Sequence, residues 1–128
     1  MERGWRPSRT IRLVKIHDSV TNELGILRLA GRLTVNDQPG LLKDAVASLA
    51  RRGARHVILD LSGVDYVDST RLGELIAAHV SISRQGGRLM LAGTPPRVLE
   101  LLSLASLTGV FERFDSVEAA TRSVPAAS

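Results

Sequence analysis

The sequence contains no cysteine. This absence excludes disulfide bonds, thiolate catalysis and cysteine-ligated zinc or iron–sulfur sites. The sequence also has no apolar run that approaches the roughly 20 residues needed to cross a bilayer. The basic N-terminus lacks the apolar segment of a secretory signal. We therefore expect a cytoplasmic protein without a membrane partner.

Aromatic residues are also scarce, at 3% of the chain, and the net charge is only +4. Five basic residues and one acidic residue fall within the first sixteen positions, whereas the rest of the chain holds twelve of each sign. Trp5 is the one ring in that segment that could stack on a nucleobase, and no nucleic-acid-binding motif follows it. We predict a flexible basic arm over 1–9 and no nucleic-acid partner.

The chain of 128 residues, 44% of them apolar, is long enough for one domain with a single core. Its hydrophobic pattern predicts the order β-β-α-β-α-β-α-β-α, with the domain over 10–123 and a loose tail over 124–128. This order predicts an α/β fold with a mixed sheet of about five strands and about four helices. The first two strands would form an antiparallel hairpin at the entry to a parallel portion.

Alternating apolar and polar residues predict a first strand over 11–16 and its hairpin partner over 26–30, with a polar turn at 18–25. A nearly continuous apolar run over 56–61 predicts a central strand, covered on at least one face. Two further short strands are predicted at 88–92 and 110–114.

Capping residues predict where the helices begin. Asn36 or Asp37 could cap the first helix, with Pro39 in its first turn. Thr94, followed by proline, could cap the third. The run Asp115-Ser116-Val117-Glu118 resembles a capping box at the start of the last helix.

The most informative stretch joins the central strand to the second helix. A polar turn delivers Asp68, Ser69 and Thr70 to the start of an apolar-faced helix. Backbone N–H groups and the helix dipole favour negative charge there, which suits a serine whose modification carries a signal. The competing interpretation, which local chemistry alone favours, is that Ser69 or Thr70 simply caps the helix. The predicted apolar stripe of this helix is Leu72, Leu75, Ile76 and Val80.

Three acidic residues, Asp60, Asp65 and Asp68, invite comparison with a phospho-accepting receiver domain. A receiver needs an acidic pair after its first strand to hold Mg²⁺, and a lysine near a late strand. The only lysines are Lys15 and Lys43, and the acidic pair is absent. We expect Asp60 at the end of a strand and Asp65 in a solvated turn.

An enzymatic role would require further chemistry around Ser69. A serine nucleophile needs an oriented base, but His17, His56 and His79 are isolated in the sequence. No phosphate-binding Gly-x-x-x-x-Gly-Lys occurs. We therefore predict a protein that is not an enzyme, with no catalytic residue, no cofactor and no metal site.

The segment 65–75 resembles the signature of the STAS domain, the fold of bacterial anti-sigma factor antagonists. Gly-Arg-Leu at 31–33, Gln-Gly-Gly at 85–87 and Leu-Thr-Gly-Val-Phe at 107–111 also resemble the family pattern. The resemblance covers about 10–123, and the order of the elements agrees.

The resemblance implies a mechanism. In this family, the first hydroxyl residue after the aspartate is phosphorylated by an anti-sigma factor that is also a serine kinase. The unphosphorylated protein binds that anti-sigma factor and frees the sigma factor, and the phosphate blocks this binding. The matching residue is Ser69, with Thr70 as second choice. The alternative is a non-switching STAS subunit of a stress-signalling or lipid-transport complex. The sequence leaves open whether the chain forms a homodimer.

The chain departs from the family pattern at two positions. Arg71 stands where the family usually has glycine, and a cation in the first turn opposes the helix dipole by about 0.3–1 kcal/mol. We expect Arg71 to be exposed and to affect partner choice rather than stability. It would do so by pairing with a phosphate on Ser69 or by excluding the usual kinase. The alternative is an exposed arginine that is tolerated and has no role. Thr34 stands where many members have aspartate. The predicted partner-binding residues are Thr34, Asn36, Asp37, Asp68, Ser69, Thr70, Arg71 and Gly73.

Overall fold

The computed structural model describes residues 15–33 and 40–124. Five strands and four helices alternate there in the predicted order. They are β1 (Lys15–Thr21), β2 (Leu24–Leu33), α1 (Leu41–Arg51), β3 (His56–Val67), α2 (Ser69–Arg84), β4 (Leu89–Ala92), α3 (Pro96–Leu104), β5 (Glu112–Phe114) and α4 (Val117–Arg122).

The strands form one sheet in the order β1-β2-β3-β4-β5. β1 pairs antiparallel with β2, and every later pair is parallel. The predicted mixed α/β sheet with an entry hairpin is therefore confirmed. In the parallel portion, the carboxyl ends of β2 and β3 lie side by side, and Leu33 pairs with Val67.

The entry hairpin is tighter than predicted. β1 continues through Thr21, and the turn is limited to Asn22 and Glu23, whose φ angles of 50° and 69° are both positive. Two consecutive positive φ angles are typical of the two-residue turns that suit the twist of a hairpin. The polar residues at 18–21 lie on a strand because β1 is at the edge of the sheet, where one face can meet water. The predicted arm over 1–9 and the start of the predicted strand over 11–16 lie outside the described residues.

The central strand is confirmed, but it is longer than expected. β3 runs six residues past the apolar run, so the predicted polar turn is wrong over 62–67. Asp60 lies within β3 rather than at its end, and its carboxylate pairs with Arg28 at 2.8 Å. Asp65 is exposed on the same strand. β2 pairs with β3 in parallel as far as Val67, and the register shifts after Arg28 and again after Gly31.

The helices cover the two faces of the sheet unequally. α1, α2 and α3 pack on one face, where the main core contains Leu42, Leu75 and Val98. The six-residue helix α4 packs on the other face through Val117 and Ala120. The buried strand residues of the main core are Leu27, Leu29, Val57, Leu59, Leu61, Val64, Val67, Leu89 and Leu91.

The last two helices begin as proline and serine chemistry require. The residue at the N-cap position of α3 is Pro95, whose side chain makes no capping hydrogen bond, rather than the predicted Thr94. Because Pro95 precedes Pro96, it is disfavoured in the helical region, so it remains extended and the helix starts one residue later. The predicted start of α4 is confirmed, with Ser116 at the N-cap position, where its Oγ accepts a hydrogen bond from the Ala119 N–H at 3.0 Å. The third helical residue is Ala119 rather than a glutamate, so the predicted capping box is not formed.

The end of the described range joins the smaller core. Val124 packs half-buried against the cluster that α4 covers. The rest of the predicted tail, 125–128, lies outside the described residues. Within the described ranges, no helix combines the length and the apolar character that crossing a membrane requires.

The first prediction concerns His56, at the start of β3, whose Nδ1 accepts a hydrogen bond from the Arg88 N–H at 3.1 Å. Burial, followed by the nearby cations Arg55 and Arg88, lowers the pKa of His56 below 6.5. The unfolded chain therefore takes up a proton at this histidine before the folded protein does, and the free energy of unfolding decreases as the pH falls through about 6.5. His56→Asn keeps an acceptor but cannot titrate, so we expect a flatter dependence between about pH 7 and 5.

Urea unfolding of both proteins at a series of pH values measures this effect. An equal slope for the variant and the parent over that interval would contradict the role given to His56.

Candidate functional site

The start of α2 is capped by Asp68, which follows the last residue of β3. Asp68 is extended, and its carboxylate accepts a hydrogen bond from the Arg71 N–H at 2.8 Å. The interpretation that Ser69 or Thr70 caps the helix is therefore wrong. Aspartate is one of the preferred N-cap residues, and it stands one position earlier in the chain.

Ser69 and Thr70 are the first two helical residues of α2, and both are exposed. Because the capping bond comes from Asp68, the start of the helix does not depend on either hydroxyl. Ser69 is thus placed where a modifying enzyme could reach it without removing the cap.

Arg71 is buried, with only 1% of its surface exposed. The expectation of an exposed side chain is wrong, because helical periodicity places Arg71 on the same inward stripe as Leu75, Ala78 and Ile82. Its guanidinium Nη1 donates to Glu74 Oε2 at 2.8 Å. The predicted stripe is correct at Leu75, half-buried at Leu72 and Ile76, and wrong at Val80, which is 41% exposed.

Glu74 links α2 to the start of α1. Its Oε2 accepts from the Gly40 N–H at 3.2 Å. Its Oε1 accepts from the N–H groups of Leu42 at 2.9 Å and Lys43 at 3.2 Å. A helix leaves its first N–H groups without intrahelical partners, and a carboxylate near that positive end is favourable. Glu74 therefore caps α1 from a neighbouring helix.

The predicted cap of α1 is wrong for this reason. The helix begins at Leu41 after Gly40, which has a φ of 80° and no side chain with which to cap. Thr34, Asn36 and Asp37 lie outside the described residues, and their role in partner binding stays a prediction.

The described residues on either side of 34–39 both lie beside the start of α2. Leu33 pairs with Val67 across the sheet. On the other side, the Gly40 N–H is bound by Glu74. The chain thus leaves the end of β2 and returns at the start of α1 next to the same turn that carries Ser69.

Gly73 is exposed in the interior of α2, four residues after Ser69. Residues four apart lie on the same face of a helix. A Cβ added at Gly73 would meet nothing within 4 Å, so packing within the described residues does not require glycine here. Glycine weakens a helix interior by roughly 0.5–1 kcal/mol relative to alanine. The absence of a side chain at Gly73, which leaves this face of α2 bare, therefore lowers the stability of the protein.

Sequence reasoning missed three residues around this turn. Glu74 lies within the segment 65–75 that resembles the family signature, but its role requires knowing that α1 begins beside it. Arg32 and Tyr66 form a cation–π pair, with the guanidinium carbon 4.8 Å from the ring centroid. Their pairing depends on a register that shifts between β2 and β3. The one available signal in the sequence was the spacing of three between Arg71 and Glu74, which predicts an ion pair because residues three apart are neighbours on a helix.

The described histidine side chains do not provide a base for Ser69. His56 lies at the opposite end of β3. His79 packs edge-on against Phe111, with 5.5 Å between the ring centroids. It follows Ser69 by ten residues, or about 15 Å along the helix axis. Among the side chains that the structure describes, no group of three or more potential metal ligands is close enough to hold a metal ion.

The second prediction concerns the buried ion pair. Arg71→Ala should lower the free energy of unfolding by about 3–5 kcal/mol, because it leaves the largely buried Glu74 carboxylate without this cation. Thr70, the exposed neighbour of Arg71, provides the control. Thr70→Ala should change the free energy of unfolding by no more than about 0.5 kcal/mol. Denaturant unfolding measures both. A loss of less than about 1 kcal/mol for Arg71→Ala would show that the pair contributes little to stability.

The sequence pattern of the STAS domain family matches residues 12–120. An anti-sigma F factor antagonist of Paenibacillus polymyxa is 25% identical over 91 residues, which cover 71% of this chain and 78% of that protein. An anti-sigma-B factor antagonist of Bacillus subtilis is 29% identical over 86 residues, covering 67% of this chain and 77% of that one.

A solved structure supports the same assignment. A Thermotoga maritima protein assigned as an anti-sigma factor antagonist superposes with a TM-score of 0.77 and 26% identity, over 85% of this chain and 93% of that one. With the mixed sheet, the helix order and the Asp-Ser-Thr sequence at the start of α2 in place, the chain belongs to the STAS domain family, and the two curated relatives described above are anti-sigma factor antagonists.

Proposed function

We propose that this protein is an anti-sigma factor antagonist whose unphosphorylated form binds an anti-sigma factor that is also a serine kinase. Binding releases the sigma factor, and phosphorylation of Ser69 ends the binding. The names of the relatives support the class of partner. The observation that carries the switch is the exposed Ser69 at the first position of α2, beside an aspartate that already caps the helix.

The charges around Ser69 favour a switch that changes the surface and leaves the fold intact. A phosphate adds about −1.5 to −2 charges at pH 7. It would lie beside Asp68, so the surface would become strongly negative and would repel an acidic partner. The positive end of the helix dipole partly offsets this charge within the protein. Arg71 and Glu74 remain paired with each other in the interior.

The orientation of Arg71 supports access to Ser69. A kinase and a binding partner must both approach the first turn of α2 closely. An arginine projecting from that turn would obstruct them, but this side chain is directed into the protein. The departure from the family pattern at Arg71 therefore does not argue against phosphorylation.

The third prediction tests the switch at Ser69. Ser69→Ala should bind the anti-sigma factor whether or not the kinase and ATP are present. Its free energy of unfolding should change by no more than about 0.5 kcal/mol, because Asp68 supplies the cap. Ser69→Asp should bind more weakly, because it places a charge beside Asp68. With the kinase and ATP, the parent should gain one phosphate and Ser69→Ala none, while Thr70→Ala should still gain one. Mass analysis locates the phosphate, and calorimetry measures the affinities.

Two outcomes would change this assignment. Phosphate found on Thr70 alone would move the switch by one residue. If no kinase modifies the chain and both Ser69 substitutions leave the affinity of every partner unchanged, the protein is a non-switching STAS subunit of a larger assembly, such as a stress-signalling or lipid-transport complex.

The fourth prediction concerns the bare helix face at Gly73. Gly73→Ala should raise the free energy of unfolding by roughly 0.5–1 kcal/mol, because alanine restricts the unfolded chain and favours the helix. It should nevertheless weaken binding of the anti-sigma factor, because the added methyl group stands on the face that carries Ser69. Ser83→Ala provides the control, since it raises helix propensity at an exposed position near the far end of α2. Unchanged affinity for Gly73→Ala would remove Gly73 from the partner surface.

A further inference from the structure

One carboxylate joins the starts of two helices in this protein. Glu74 accepts hydrogen bonds from three N–H groups at the start of α1, at 2.9–3.2 Å. The same carboxylate is bound by the guanidinium of Arg71 at 2.8 Å, with 1% of the Arg71 side chain and 12% of the Glu74 side chain exposed. These bonds fix the first turn of α1 to the first turns of α2.

We propose that Glu74, held in place by Arg71, is a positioning residue for the partner surface. It aligns the start of α1 with the first turn of α2, which carries Ser69, so that the anti-sigma factor binds both as one continuous surface. This inference rests on the proposed function. It extends the binding surface to the first turn of α1. It also assigns the alignment of α1 with α2 to Glu74 and Arg71, which the partner need not touch.

The geometry supports this division between positioning and contact. Glu74 is directed towards α1, and Arg71 lies on the inward stripe of α2, so neither presents its charge to solvent. The side chains exposed beside them are Lys43 on α1 and Ser69 and Thr70 on α2. A partner that binds across these side chains depends on their separation, which the Glu74 bonds determine.

The test compares the loss of the Glu74 charge with the loss of a carboxylate that lies outside the proposed surface. Glu74→Gln has the same size, but its amide NH₂ cannot accept a hydrogen bond, and the charge is lost. Glu118→Gln removes an exposed carboxylate from the first turn of α4, which packs on the other face of the sheet. We expect Glu74→Gln to weaken binding of the anti-sigma factor about tenfold, mainly through faster dissociation, and Glu118→Gln by less than about twofold.

Amide hydrogen exchange of the unmodified protein provides a second measurement that does not depend on how well a variant folds. Binding of the anti-sigma factor should slow exchange at Gly40, Leu42 and Lys43, together with Ser69 and Thr70. A partner surface that does not include the start of α1 predicts protection at the first turn of α2 alone.

Each outcome is decisive. Unchanged affinity of folded Glu74→Gln, equal losses for both variants, or protection confined to Ser69 and Thr70 would overturn the positioning role and leave the proposed function standing. A parent protein that binds no anti-sigma factor would instead overturn the proposed function and, with it, this use of Glu74.

Discussion

The structure around the candidate site depends on one buried carboxylate that serves two helices. Glu74 belongs to α2, yet it supplies the acceptors that the start of α1 lacks, because the residue at that start is Gly40. A carboxylate removed from water requires a cation, and Arg71 provides it from one turn earlier on the same helix. The capping of α1, the burial of an arginine and the placement of the Ser69 turn are therefore consequences of a single arrangement.

The first turns of α2 separate structural tasks from functional ones by helical periodicity. Asp68 caps the helix and Arg71 is directed into the core, so the structural demands are met by residues that flank Ser69. Ser69 and Gly73 remain on the outer face, one with an exposed hydroxyl and the other with no side chain. The protein can thus change the charge of this surface without changing the contacts that hold the helix.

Sequence reasoning succeeded where a signal is local and repeated. The alternation of strands and helices, the central position of β3 and the Ser116 cap follow from hydrophobic periodicity and capping chemistry, and the structure confirms them. It failed where a neighbour decides. β3 continues through polar residues because β2 pairs with it as far as Val67, and α1 needs no cap of its own because Glu74 is within reach.

The sequence by itself determined the order of the elements, the apolar faces that build the core and the Asp-Ser-Thr turn at the start of α2. These features depend on residue types at short spacings, which survive without knowledge of the fold. Only the tertiary structure decided which polar residues of that turn face inward. A charged side chain in a first turn is ordinarily solvated. Arg71 is buried because it lies on the inward stripe of α2, where it pairs with Glu74. Glu74 is held at that place by three N–H groups at the start of α1.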